Sequence, residues 1–211
     1  LVAKALEKQD YKKTQTLYTK SSINQLIIAG VLFLCIWLNI DDIFSLLPAK
    51  FQGGKWVVFY ISIAQLFNMI TGINGTIIVN SKYYRYDLYT NVILVLTTVI
   101  TNYFLILKYG IDGAAMATAI SISLFNLIRL ILIKVKMNMH PFSLQTIKTI
   151  LLLFVMFFAL DFLPNSSYAF VDIIWKSIVV FILFISAVMY FKLSEDINEV
   201  IIEVRKKISR Q

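Results

Sequence analysis

Four asparagines within the second and third apolar runs are candidates for binding, because an amide inside a membrane either lines a polar cavity or hydrogen-bonds a neighbouring helix. They are Asn68, Asn74, Asn91 and Asn102. Asn91 and Asn102 share one helix face with Thr98, because the three are spaced by seven and four residues. Asn68 and Asn74 lie in a run with two glycines, which weaken a helix and allow a bend. The pattern predicts a hinge, a polar cavity wall, or hydrogen bonds between helices.

Positive side chains near the ends of the apolar runs are the other binding candidates, because a charge within a membrane is costly and therefore often functional. Lys82 and Arg85 lie in a connector, and Arg129 lies near the end of a run. Arg129 is placed either to meet an anionic headgroup or substrate, or to extend along apolar surface toward the headgroups. Asp172 and Lys176 are four residues apart and are expected to pair with each other.

Patterns typical of catalysis or metal binding are absent from the sequence. Its one cysteine, Cys35, lies in an apolar run, and its one histidine, His140, precedes a proline in a connector, so neither has a partner at ligand spacing. Asp161 stands near the end of its run, and no chain of acidic or histidine side chains runs deeper to relay protons. Gly-rich phosphate loops and nucleophile elbows are missing as well. We therefore expect neither an enzyme nor a bound metal or cofactor.

The elements that hold these side chains are transmembrane helices. Of the 211 residues 59% are hydrophobic and 15% are charged, against about 45–50% and about 25% in soluble domains. Six apolar segments approach the roughly 20 residues that cross a bilayer: 22–40, 56–80, 88–107, 112–134, 147–163 and 171–192. Continuous runs of this length are helices, because barrel strands alternate and are half as long. The predicted fold is all-α, a polytopic membrane helix bundle of about six transmembrane helices.

The distribution of charge predicts the orientation of this bundle. The net charge is +8, but no basic groove or motif for nucleic acid accompanies it. Sixteen of the twenty lysines and arginines fall in the segments 1–21, 82–87, 129–148 and 192–211, which lie on one side of the predicted bundle. The positive-inside rule then places both ends of the chain in the cytoplasm. Membrane lipids are expected partners, and nucleic acid is not.

Four regions follow one another along the chain. Residues 1–21 are a cytoplasmic connector, 22–134 hold four transmembrane helices, 135–192 hold two more, and 193–211 are a cytoplasmic amphipathic tail. In the tail Ser194 is a predicted N-cap, followed at helical spacing by Ile197, Val200, Ile201, Val204 and Ile208. The tail either lies on the inner leaflet or packs on the protein. Because no leader precedes the first apolar run, the chain is expected to be the C-terminal part of a longer protein.

Two stretches, 80–91 and 108–121, carry turn and packing motifs. A stripe of small residues suited to close helix contact opens the fourth segment: Gly110, Gly113, Ala114, Ala117 and Ser121. The motif from Tyr109 to Ala115, and the turn at Pro48 with the glycine pair after it, resemble the polysaccharide exporters and O-antigen flippases. These belong to the multidrug/oligosaccharidyl-lipid/polysaccharide exporter superfamily, and the resemblance covers at least residues 20–135.

The resemblance implies two pseudo-symmetric lobes that move an undecaprenyl-pyrophosphate-linked glycan across the bacterial inner membrane by alternating access. This chain would be the C-terminal portion of such a two-lobe fold, with the N-terminal lobe of the same protein as its partner. The matching motif residues are structural, so no binding residue is carried over from the family. On this picture the four asparagines bind sugar hydroxyls, and Arg129, Lys82 and Arg85 attract the pyrophosphate.

Three other functions stay open. A multidrug or cation antiporter of the same superfamily needs a membrane-embedded carboxylate, and only Asp161 and Asp172 near the outer ends offer one. A membrane enzyme, such as a glycan polymerase or acyltransferase, needs catalytic side chains in sizeable loops, and every connector here is short. A non-catalytic partner in envelope assembly is compatible with the sequence as well.

Overall fold

The computed structural model describes residues 1–160, 162–164, 166 and 168–208, with the backbone alone at 52, 201, 202 and 204–208. Within that part every regular element is a helix, which confirms the all-α prediction. A short 3-10 helix, Ala49–Gly54, accompanies nine α-helices: α1 (Val2–Glu7), α2 (Tyr11–Leu38), α3 (Ile40–Ser45), α4 (Lys55–Ile70), α5 (Asn74–Val79), α6 (Arg85–Met137), α7 (Leu144–Leu160), α8 (Ala169–Tyr190) and α9 (Glu195–Ile208). Asp161 lies outside the described residues.

Three of the described helices, α2, α6 and α8, are long and apolar enough to cross a membrane. Two shorter apolar helices, α4 and α7, lie between them in the chain. Many large apolar side chains point away from the protein, as Phe104 does with 65% of its surface exposed. These features indicate a membrane-embedded helical protein, whose lipid-facing side chains need no aqueous cover. The number of six crossings stays a prediction.

α6 is a hairpin of two helical limbs, 85–109 and 111–137. The helical backbone breaks only at Gly110, whose φ of 59° is a conformation that glycine adopts readily. The limbs run antiparallel in contact, since the hydroxyls of Thr101 and Ser121 lie 3.3 Å apart. A Cβ at Gly113 would lie 2.0 Å from the carbonyl oxygen of Leu105. The small-residue stripe is therefore confirmed as a close contact, although Gly110 itself is exposed at the turn.

α4 and α5 are two pieces of one apolar segment, separated by a turn at 71–73. Gly72 has a φ of 60°, and a Cβ there would lie 3.1 Å from the backbone nitrogen of Ser22. The hydroxyl of Ser22 donates to the carbonyl of Ile70, which the break leaves without a helical partner, at 2.5 Å. The bend that the glycines predicted is thus a full interruption, and α2 packs directly against it.

α2 is the central helix of the bundle, with α4, α7 and α8 packed around it. Its apolar face contributes Leu34 to a core shared with Phe184 and Val188 of α8. The helix begins at Tyr11, where the Asp10 side chain accepts from the Lys13 backbone nitrogen at 2.9 Å. The second half of the predicted connector 1–21 is therefore helical and continuous with the first apolar segment.

A buried ionic cluster joins α3 and α8 at one end of the bundle. Lys176 and Asp172 pair as predicted at 3.8 Å, but the carboxylate of Asp42 lies closer to the Lys176 ammonium, at 2.8 Å. Asp172 also accepts from the backbone nitrogen of Ser166 and from the indole of Trp175. These hydrogen bonds to the Asp172 carboxylate offset its loss of water. The cluster therefore has a structural role, which is to hold α3 against α8.

The predicted basic segments meet at the opposite end of the bundle. The side chain of Gln15 exchanges two hydrogen bonds with the backbone of His140, at 2.6 and 3.1 Å. Lys20 of α2 forms ion pairs with Glu195 and Asp196, at 3.0 and 3.2 Å.

Further contacts fix the start of α9 at this end. The Ser194 hydroxyl accepts from the Ile197 backbone nitrogen at 3.2 Å, which confirms the predicted N-cap. The side chains of Ile201, Val204 and Ile208 lie outside the described residues, so the amphipathic face of the tail stays a prediction.

Candidate functional site

A buried cluster of amides joins α4 and α5 to the second limb of α6, with Asn126 at its centre. The side-chain oxygen of Asn126, Oδ1, lies 3.1 Å from the hydroxyl of Thr71 and accepts from the side-chain nitrogen of Asn74 at 3.0 Å. The side-chain nitrogen of Asn126, Nδ2, donates to the side-chain oxygen of Asn68 and to the backbone carbonyl of Ile122, each at 3.0 Å. Asn126 is 2% exposed, so these bonds replace the water that both ends of its amide would otherwise need.

The interruption after α4 explains how three polar side chains converge on one partner. Asn68, Thr71 and Asn74 are spaced by three residues across the turn, and Thr71 is the C-cap of α4. The Thr71 hydroxyl donates to the carbonyl of Asn68 at 2.7 Å and accepts from Asn74 at 3.1 Å. The turn therefore satisfies its own free backbone group while it points three side chains at α6.

Arg129 carries the charge of the site. It forms an ion pair with Asp87 of the first α6 limb, and its Nε lies 3.5 Å from the hydroxyl of Thr90. Its guanidinium also stacks over the ring of Phe125, 3.9 Å from the centroid. Asn91 donates to the second carboxylate oxygen of Asp87 at 3.0 Å. Side-chain exposures of 13% for Arg129 and 25% for Asp87 place this pair largely out of water.

The amides and the ion pair form one continuous strip. Asn126 and Arg129 are three residues apart and so lie on the same helix face. Gly75, the residue after Asn74, makes room for the guanidinium, because a Cβ there would lie 2.7 Å from an Arg129 nitrogen. We call this strip the polar belt and define it by these residues: Asn68, Thr71, Asn74, Asp87, Asn91, Asn126 and Arg129.

The structure brings four of the seven predicted site residues into the polar belt. Asn68 and Asn74 meet at Asn126, and Arg129 and Asn91 meet at Asp87. The side chains of Asn68 and Asn74 thus form hydrogen bonds between helices, which is one of the roles that the sequence predicted for them.

The other three predicted residues lie apart from the belt. The Asn102 amide donates to the Thr98 carbonyl of its own helix at 2.8 Å. Lys82 and Arg85 are exposed and lean over neighbouring tyrosine rings, 5.2 and 6.0 Å from the centroids. Their predicted roles toward a substrate stay predictions.

Sequence reasoning assigned no role to Asn126 or Asp87, the two residues that organise the belt. Asp87 and Asn91 are four residues apart at a helix start, a spacing that favours contact. Asn126 lies in the same apolar run as Arg129, three residues before it. That position is the feature of the sequence that could have marked Asn126 as a candidate. Their partners on other helices could not be read from the sequence.

The polar belt is built from amides, one hydroxyl and a single pair of opposite charges. Among the residues that the structure describes, no group of three or more histidine, cysteine or acidic side chains is placed to hold a metal ion. The belt offers amide donors and acceptors next to one compensated charge, at a helix interruption inside an apolar bundle. Comparison with protein-family models, with curated proteins and with solved structures finds no match for this chain.

Proposed function

We propose that this chain is part of an exporter that moves a lipid-linked oligosaccharide or polysaccharide precursor across a bacterial inner membrane by alternating access. The observation that carries the proposal is the interrupted helix α4–α5 with the polar belt at its break. Interrupted helices at membrane depth are typical of transporters, because the unwound turn exposes groups that bind substrate and allow halves of the protein to move. The exporter motifs noted in the sequence support the same assignment.

The proposed topology has six crossings with both ends of the segment in the cytoplasm. Each limb of α6 is roughly 37–40 Å long at 1.5 Å per residue, enough for a hydrocarbon core of about 30 Å. α2, the pair α4–α5, α7 and α8 supply the other four crossings. The contacts of Gln15 with His140 and of Lys20 with Asp196 gather the basic segments at one end, as cytoplasmic placement requires.

The proposed mechanism uses the belt as a joint and as a binding surface. As this bundle rocks against an N-terminal lobe of the same protein, the break at 71–73 lets α4–α5 shift against α6, and this shift opens the bonds between Asn126 and the α4–α5 amides. The freed amides then bond the hydroxyls of the glycan, since sugars and amides match as donors and acceptors. Arg129, Lys82 and Arg85 attract the pyrophosphate from the cytoplasmic side. No bond is made or broken in the substrate, so the protein acts as a carrier and not as an enzyme.

A leaflet-exchange assay tests this proposal. The protein encoded by the complete reading frame is reconstituted into vesicles with a fluorescent undecaprenyl-pyrophosphate oligosaccharide, and an impermeant quencher reports the label that has changed leaflets. We expect Thr71→Val to slow exchange about tenfold, the effect of losing roughly one hydrogen bond from the working state. Thr118→Val is the matched control, because among the described residues the Thr118 hydroxyl bonds only the Ala114 carbonyl of its own helix, at 2.9 Å. A folded wild-type protein that leaves the label in its original leaflet overturns the proposal.

The alternative of a cation or drug antiporter gains support from one observation. Asp87, in the first turn of α6 at the cytoplasmic end of the proposed bundle, supplies a largely buried carboxylate for a cation to bind, and Arg129 pairs with it in the structure. The same vesicles, loaded with a pH-sensitive dye and given a sodium or drug-cation gradient, test this function. Cation flux that Asp87→Asn abolishes, without movement of the glycan, would favour the antiporter.

A further inference from the structure

A cleft of about 780 Å³ opens at the basic end of the molecule. It lies where α1 and the start of α2 meet the turn between α5 and α6 and the last turn of α6. The polar belt does not line it. Its walls combine lysines and amides with tyrosine and aliphatic side chains, a mixture that is typical of sites at the boundary between headgroups and acyl chains.

Two lysines without carboxylate partners face this cleft. Lys82 and Lys136 are both exposed, and the described part of the chain offers neither of them an ion pair. Each ammonium instead lies over a tyrosine ring, Lys82 at 5.2 Å from Tyr83 and Lys136 at 5.8 Å from Tyr86. One acidic residue, Glu7, lies in the opposite wall. Both lysines line the same cleft, Lys82 from the turn between α5 and α6 and Lys136 from the last turn of α6, which suits an anion bound between them.

Uncharged polar side chains complete the polar half of the cleft. Asn80 and Ser81 line it beside Lys82, and Asn138 lines it beside Lys136. Asn138 ends α6 with a φ of 54°, and its side-chain carbonyl accepts from Lys134 at 3.2 Å. The amide nitrogen of the same side chain has no hydrogen-bond partner among the described residues, so it is available as a donor. Phosphate oxygens accept readily from ammonium and amide groups together.

The other half of the cleft is apolar. Leu6 comes from α1, and Val135 and Met137 come from the end of α6. Tyr11, at the start of α2, lines the same space and is 46% exposed. Amphipathic tyrosine rings and aliphatic surface suit the glycerol and first methylene groups of a lipid, whereas a small soluble anion makes no use of them.

We propose that this cleft binds the phosphate headgroup of an anionic membrane lipid, with Lys82 and Lys136 as its charge partners. The lipid would hold α1 against the ends of α5 and α6 from the cytoplasmic leaflet. The inference does not rest on the proposed transport function. Of the three cations assigned there to the pyrophosphate, Arg129 and Arg85 are not among the residues that line this cleft, and Lys82 is assigned here to a lipid that stays bound to the protein.

The test titrates the intact purified chain in neutral detergent with dioctanoyl phosphatidylglycerol, using native mass spectrometry to count bound lipid. We expect Lys82→Gln and Lys136→Gln each to weaken binding about fivefold, and the double variant about thirtyfold. Glu7→Gln removes the acidic wall residue, so it should tighten binding. Lys108→Gln is the matched control, because Lys108 also lies over its neighbouring tyrosine, at 5.1 Å, but belongs to the far end of the α6 limbs.

Further measurements separate the contribution of the phosphate from that of the fold. Dioctanoylglycerol, which lacks phosphate, should not bind, and binding of phosphatidylglycerol by the wild type should weaken as salt rises. Lys82→Arg with Lys136→Arg should keep binding, which guards against a folding defect in the glutamine variants. Inorganic phosphate that binds as tightly as the lipid would overturn the lipid assignment. Equal loss in Lys108→Gln, or an absence of binding to the wild type, would overturn the site itself.

Discussion

Arg129 and Asp87 join the open ends of the two α6 limbs through an ion pair. At the closed end the backbone of Gly113 lies against the carbonyl of Leu105. The hairpin is thus held by charge at one end and by close packing at the other. Because Asn126 stands one turn from Arg129, the same pair also anchors the polar belt that ties α6 to the interrupted helix α4–α5.

Breaking the ion pair from either side should destabilise the protein. We expect Arg129→Gln and Asp87→Asn each to lower the free energy of unfolding by about 2–3 kcal/mol. This is less than the loss on breaking a fully buried pair, because both side chains keep some exposure. The double variant should cost less than the sum, since no unpaired charge remains. Thermal unfolding in detergent measures all three. Lys55→Gln is the control, because its pair with Asp41 is largely exposed and should leave the midpoint unchanged. Strict additivity would contradict a direct pair.

Asn126→Leu should lower stability by about 2 kcal/mol, because it removes several interhelical hydrogen bonds and leaves Asn68 and Asn74 without their partner. Asn102→Leu is the comparison. Within the described part of the chain the Asn102 amide bonds only its own helix, so this substitution should lower stability by less than about 1 kcal/mol. Denaturant titration of helical circular dichroism gives both values. Equal losses would mean that the amide cluster adds nothing beyond local bonds.

Gly113→Ala should disrupt the α6 hairpin. The new Cβ would lie 2.0 Å from the Leu105 carbonyl, so the limbs must separate at a cost of about 3 kcal/mol. Gly53→Ala, where nothing lies within 4 Å of the new Cβ, should be neutral. The change in thermal midpoint decides between them. A neutral Gly113→Ala variant would show that the limbs are not in contact there.

The attachment of the tail helix should depend on pH through Asp196. A hydrogen bond from Asn24, followed by the contact with Lys20, lowers the pKa of this carboxyl below its ordinary value of about 3.9. The stabilisation is therefore fully present above the ordinary value and is lost as the pH falls through the lower folded pKa. Limited proteolysis of α9 should show it held from pH 7 to 5 and released only in stronger acid. Asp196→Asn should release α9 already at pH 7, whereas release of the wild type near pH 6 would contradict the carboxylate's role.

Cysteine labelling tests the proposed orientation. In a Cys35→Ser background, an impermeant maleimide should label Gly53→Cys on intact cells, and His140→Cys only after the membrane is opened. Both positions suit the probe, because Gly53 has open space around its Cβ and His140 is exposed. Full labelling of both in detergent is the control. Labelling of both from the same side would contradict an odd number of crossings between them.

Much of the fold follows from local sequence. Apolar runs without strand alternation specify helices, the separation of Asp172 and Lys176 specifies their pairing, and Ser194 specifies a helix start. The glycine at 110 specifies the turn of the α6 hairpin, because its φ of 59° together with its ψ of −130° is a conformation that glycine adopts readily and that strains a residue with a Cβ. Each of these features depends on residues close together in one helix or turn, so it can be predicted from the sequence alone.

The tertiary structure alone decided which polar groups meet. Asn126 is joined to Asn74, Arg129 to Asp87, and Lys176 more closely to Asp42 than to Asp172. Each of these contacts joins residues from different helices or from opposite limbs, and it depends on how deep each helix sits and how it is rotated about its axis. Those two variables are fixed by the packing of apolar and small side chains over the whole bundle, and no local spacing encodes them.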